Sequence, residues 1–212
     1  MGKVRFRYSK TGRAMYISHL DLTATMRRSF LRAGINLKYS EGFNPHPYMS
    51  VALPLSVGCE SICELIDVAI ADDIVPDLRS IKLPDGLEIS EAYIPASTFN
   101  DISWIEINGK MHYDKKTDND IIKRLKQCFS QKSIIITKRT KRGSKELDIA
   151  PHIKDLDFSF VDNEIMLTAK LSAQDPSINA DDLLNALDNE LKPAYTFMKR
   201  IAIYDTNMII FR

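Results

Sequence analysis

Residues Glu41 to Ser50 read EGFNPHPYMS, with the imidazole of His46 set between Pro45 and Pro47 and the rings of Phe43 and Tyr48 nearby. A proline pushes the residue before it toward extended backbone, so Asn44 and His46 are both held open, while Gly42 permits a sharp turn ahead of them. Such a loop loses less entropy on being fixed. It can therefore present a side chain in one place, or serve as a rigid connection whose His46 caps a backbone group. A second imidazole, His19, opens a helix-like segment, and Tyr16 precedes it. His19, His46 and Tyr16 have the group types for acid/base attack of a 2′-hydroxyl on RNA. The alternative for His19 is a ring packed behind its helix.

Cations accompany these groups. Val4-Arg5-Phe6-Arg7-Tyr8 alternates, so as a strand it sends Val4, Phe6 and Tyr8 to one face and Arg5 and Arg7 to the other. Arg27, Arg28 and Arg32 follow on the helical segment, and Lys138, Arg139, Lys141 and Arg142 crowd the stretch KRTKRGSK. Phosphate binding needs several cations along a backbone and rings on which bases stack, for which Phe43 and Tyr48 are available. The basic stretch at 138–145 has the form of a hairpin that grips phosphate, and equally of a charged guard on a strand edge. Charge is segregated along the chain. Residues 1–50 carry net +7 and residues 51–101 net −8, within a total of +1. This makes a basic pole for a polyanion, unless the two segments neutralise each other.

Other chemistries are poorly provided for. Cys59, Cys63 and Cys128 are an odd set with no second close pair to complete a zinc site, and read as reduced thiols. Glu64 and Asp67, three apart, point to opposite faces of a strand, which argues against a paired-carboxylate site. There is no phosphate-cradling glycine loop, no Gly-x-Ser-x-Gly and no His-Glu-x-x-His, and no cofactor and no metal are expected. No apolar run reaches membrane-span length, and a cytoplasmic location is expected.

These groups need elements to hold them. Ser18 and Asp21 predict a capping box, Gly34 a left-handed stop, and Leu22, Met26, Phe30 and Ala33 one apolar face between them. Strands are expected over 4–8, 35–39, 49–53, 64–70 and 87–94, with a short helix over 74–81. After a linker at 95–101, the pattern predicts strand 103–107, helix 118–130, strand 134–138, paired strands 154–161 and 164–171, helix 179–191 and strand 198–204. The fold class is α+β: two tandem ferredoxin-like (βαββαβ) halves with antiparallel sheets, residues 1–97 and 98–212.

Four strings carry a resemblance: YISHLDL at 16–22, RAGINLKYSEGFNPHP at 32–47, LPLSVGCES at 53–61 and KELDIAPHIKDL at 145–156. Together they resemble the radical SAM-linked proteins, a bacterial family found as separate chains or fused to radical SAM enzymes. That resemblance implies a radical SAM enzyme as partner and a link to RNA metabolism. It supplies no catalytic residue. The chain itself lacks a C-x3-C-x2-C cluster motif, because position 66 is isoleucine. The expected plan, with SEGFNPHP and PLSVG, is also similar at fold level to the CRISPR repeat-associated RNA endonucleases, although their glycine-rich C-terminal loop is missing from TFMKRIAIYDTNMIIFR. The expectation is an accessory RNA-binding protein that presents RNA to a radical SAM modifying enzyme. The alternatives are a metal-independent endoribonuclease using a histidine, or a protein-only adaptor.

Overall fold

A computed structural model describes residues 2–72, 74–114, 119–140, 143–162 and 164–212. The chain divides into two compact units, Met1–Asp101 with Arg212, and Ile102–Phe211. Both are mixed α/β units built on antiparallel strands, with three α-helices described in all.

The first unit contains β1 (Lys3–Lys10), α1 (His19–Arg32), β2 (Met49–Val51), β3 (Cys59–Ala69) and β4 (Leu87–Tyr93). Its strands lie in the order β4-β1-β3-β2, all antiparallel. The alternation of β1 is realised: Val4, Phe6 and Tyr8 are buried against α1, with Phe6 and Phe30 rings 4.7 Å apart. Leu22, Met26 and Phe30 join Ile66, Val68 and Ile70 in this core. Each such side chain, taken fully from water, stabilises the unit by about 1.5–3 kcal/mol. α1 starts where Ser18 caps it, accepting from the Asp21 amide at 3.1 Å. The Asp21 carboxylate bonds the Ser18 hydroxyl at 2.7 Å, where the sequence pattern predicts the Ser18 amide. Gly34, at φ +77°, ends the turn.

Two expectations fail in this unit. Residues 35–39 form isolated bridges, Leu37 with Ile70 and Tyr39 with Pro47, instead of a strand. The helix expected over 74–81 is a single 3-10 turn, Leu78–Ser80, capped by Asp77. Pro76 is the reason: it drives Val75 out of helical backbone, so no regular turn can begin before Asp77.

The second unit contains β5 (Ile102–His112), α2 (Asn119–Phe129), β6 (Ile135–Thr140), β7 (Gly143–Asp148), β8 (Ile153–Val161), β9 (Glu164–Ser172), α3 (Ala180–Asn185) and β10 (Tyr195–Asp205). Its sheet runs β10-β5-β9-β8, antiparallel throughout, and β6 and β7 form a separate hairpin. Ile105, Ile107 and Met111 of β5 and Ile165, Leu167 and Leu171 of β9 are buried on one face, as period-two alternation requires. The helix expected over 179–191 stops at Asn185. Asp188 accepts from the amides of Glu190 and Leu191 at 3.1 and 3.0 Å, starting a new turn in competition with the helix.

Candidate nucleic-acid interface

The EGFNPHPYMS segment folds as the tip of an irregular hairpin in the first unit. Its root is tied to β3: the Lys38 amide donates to the Ala69 carbonyl and the Ala69 amide to the Tyr48 carbonyl, both at 2.9 Å. Above the Tyr39–Pro47 bridge, the Ser40 amide donates to the His46 carbonyl at 2.8 Å, and the His46 amide donates to the Ser40 hydroxyl at 2.9 Å. Gly42, at φ +113°, turns the tip. His46 thus contributes its backbone to the brace while its side chain stays exposed. Phe43 projects from the apex with 111% relative exposure, and Tyr48 and Tyr39 are exposed lower down.

Register locates this hairpin. β1 and β3 pair from Lys3 with Ala69 at one end to Lys10 with Ser61 at the other. The hairpin root and the C-terminal end of α1 lie at the Ala69 end, because Ile35 bonds back to Phe30 and Leu37 bridges Ile70. Arg28 and Arg32 are exposed on the C-terminal half of α1, and Arg27 is half-buried. Arg32 donates to the Ser29 hydroxyl at 3.0 Å. Among the described residues, none forms an ion pair with Arg27 or Arg28. The exposed arginines and rings therefore share one end of the unit.

His19 and Tyr16 belong to the opposite end. Tyr16 closes a 3-10 turn, Gly12–Tyr16, whose Met15 carbonyl accepts from Gly58 beside the start of β3. Between the Ser61 and Ala69 ends lie eight strand steps, roughly 26 Å at 3.3 Å each. Both His19 and Tyr16 are exposed, and among the described residues neither bonds the other or His46. The set His19, His46 and Tyr16 is not assembled.

Three cations are placed otherwise than the sequence pattern suggests. Arg5 is fully buried. It donates from Nε and Nη2 to the two Asp67 oxygens at 2.7 and 3.0 Å, reaches the Ser97 hydroxyl and carbonyl at 3.1 and 3.0 Å, and stacks 4.4 Å over Phe99. The expected positive face is covered here by residues 97–99, because a guanidinium's several donors can be satisfied internally only if the linker closes over it. Arg7 is half-buried opposite Glu91, which also pairs with Arg212 at 3.0 Å. Between these groups, burial raises the Tyr93 pKa while Arg5, Arg7 and Arg212 oppose the rise. Lys138 is spent on Asp182 at 2.5 Å and on the Ser177 carbonyl at 2.6 Å. Arg139 lies on β6, and Lys141 and Arg142 fall outside the described residues.

Sequence reading missed Lys10. It is buried, donates to the Ile17 carbonyl at 3.0 Å and ties the 3-10 turn to β1. Burial lowers its pKa, partly offset by Glu64 and Cys59. Its place in the alternation, after Val4, Phe6 and Tyr8, was the available signal. Cys63 is buried and Cys59 half-buried, neither in a disulfide, and among the described residues no group of three or more metal-ligating side chains gathers. No described helix is long and apolar enough to cross a membrane.

Fold and site together define a mixed α/β protein of two antiparallel-sheet units, the first displaying arginines and aromatic rings at one end. The chain belongs to the family described as "Uncharacterized protein conserved in bacteria (DUF2344)", whose model matches residues 3–193. No curated protein matches it.

Proposed function

We propose that the protein is a non-catalytic RNA-binding accessory factor that presents RNA to a radical SAM modifying enzyme. The observation that carries the RNA reading is the common location of Arg28, Arg32 and the braced hairpin with its exposed Phe43, His46 and Tyr48. Cations attract the phosphates, and the rings offer faces to unpaired bases. The hairpin's two prolines and its Ser40–His46 bonds hold the backbone that carries those rings, so less backbone entropy is lost on contact. The radical SAM partner rests on the family resemblance alone. Separation of His19 from His46 favours binding over cleavage by a histidine pair. We also read both units as variants of the ferredoxin-like plan, a reading supported by the strand order, with the first unit's second helix reduced to a 3-10 turn.

Fluorescence titration of labelled single-stranded and stem-loop RNA at two salt concentrations tests this. Binding that weakens with salt is expected. Arg28→Glu/Arg32→Glu should lower the salt slope by about 1.4, at about 0.7 per phosphate contact on single strands. Phe43→Ala should cost about 1–3 kcal/mol with the slope unchanged. Absence of binding at low salt overturns the RNA reading. Release of a 2′,3′-cyclic phosphate in excess chelator would replace it with the endoribonuclease.

A further inference from the structure

A groove of about 680 Å³ runs beside β6 in the second unit, lined by Ile135, Ile136, Thr137 and Lys138 on one wall and by Asn179, Asp181, Asp182 and Asn185 on the other. Four consecutive strand residues line it. A face of a strand takes alternate residues only, so the wall is the edge of β6. That edge is open. Ile149 donates to the Ile134 carbonyl at 2.9 Å, which directs Ile134, and by alternation Ile136 and Lys138, toward β7. Ile135 and Thr137 consequently point their N–H and C=O groups into the groove, and no described residue outside the hairpin bonds them.

Open strand edges are usually guarded. β8, at the edge of the neighbouring sheet, carries an irregularity between Lys154 and Asp157 and has Asp155 at φ +49°. β6 has no such device over Ile135–Thr137, and Ile135 is 57% exposed. The opposite wall is α3 with the residue that caps it.

The geometry points to a β-augmentation site: an extended segment of a partner protein adds to β6 as a strand, with α3 as the second wall. The groove's charge selects the segment. Lys138 is neutralised by Asp182, which leaves exposed Asp181 between the amides of Asn179 and Asn185. The partner segment therefore carries β-branched residues at alternate positions and a lysine or arginine facing Asp181. Lys138 ties β6 across to Asp182 and the Ser177 carbonyl and closes that end of the groove, so the stretch left for the partner is Ile135–Thr137, which at roughly 3.3 Å per residue accommodates about three residues of it. This site is separate from the RNA reading and does not depend on it.

Selection of a displayed random nonapeptide library on the full chain, followed by residue-resolved amide exchange with an enriched synthetic peptide, tests the site. The expected peptides share the alternating, singly basic pattern and slow exchange at Ile135 and Thr137 while leaving Ile136, already in the ladder, unchanged. Thr137→Pro removes an outward donor and no ladder bond, and should weaken binding at least tenfold. Asp181→Asn should abolish the preference for the basic residue. A selection that yields no binder overturns the proposal, as does a peptide bound equally by Thr137→Pro or one that fails to protect Ile135 and Thr137. Concentration-dependent self-association that protects the same amides without peptide also overturns it, making a second copy the occupant.

Discussion

Removing the carboxylate at Asp67 should destabilise the first unit severely, because the charge left behind is wholly buried. Arg5 has no exposed surface and Asp67 has 7%, and their contact is bidentate at 2.7 and 3.0 Å. At an effective dielectric constant of about 20, unit charges about 4 Å apart attract by about 4 kcal/mol. Breaking a buried pair from one side typically costs about 3–5 kcal/mol. Asp67→Ala leaves Arg5 with Ser97 and the Phe99 face, which offset part of the loss, so about 3 kcal/mol is expected. With a urea dependence of about 2 kcal/mol per molar, the unfolding midpoint followed by circular dichroism falls by about 1.5 M. The double variant Arg5→Met/Asp67→Leu removes both charges and should recover most of the stability. It should also bind RNA with the wild-type salt slope, since Arg5 does not reach solvent. A loss below about 1 kcal/mol for Asp67→Ala, the range of an exposed pair, would refute the reasoning.

Burial raises the Tyr113 pKa to about 12, with its hydroxyl donating to the Leu191 carbonyl at 2.8 Å. The neutral phenol is favoured by the fold, so its contribution is complete below about pH 10 and is lost as pH rises through about 12. Tyr113→Phe should therefore show a shallower loss of stability over that window in urea melts at stepped pH. Gly86 sits at φ +85°, and a Cβ there would lie 2.2 Å from the Thr11 carbonyl oxygen, so Gly86→Ala should cost more than about 2 kcal/mol by thermal melt. Gly42→Ala meets open space and should cost about 1–3 kcal/mol of backbone strain at φ +113°, read as loosened amide protection at Ser40 and His46 with the core unaffected.

Much of the architecture was legible in local pattern. The α1 boundaries follow from Ser18 and Gly34, and the buried face of β1 from the alternation of Val4, Phe6 and Tyr8, because caps and period-two faces are set by neighbours in the chain. Local rivals explain the shortfalls. Pro76 and Asp188 each interrupt a helix that apolar spacing suggested. The exposed hairpin was likewise foreshadowed by Gly42, Pro45 and Pro47.

Which side chains face water was a different matter. Arg5 and Arg7 are equivalent in the alternation, yet one is sealed and the other half-covered, because only the folded linker brings Ser97 and Phe99 over the first. His19 and His46 are 27 positions apart in a histidine-poor chain and invite pairing, but α1 spans the distance between them and places them at opposite ends of a ladder. The basic stretch at 138–145 suited a phosphate-gripping hairpin and a charged guard on a strand edge equally, and long-range contact with Asp182 neutralises its Lys138. Residue type and spacing determine an element and its apolar face through short-range sterics and burial; the partner of a charge, and hence its availability, depends on segments far along the chain and is decided when they pack.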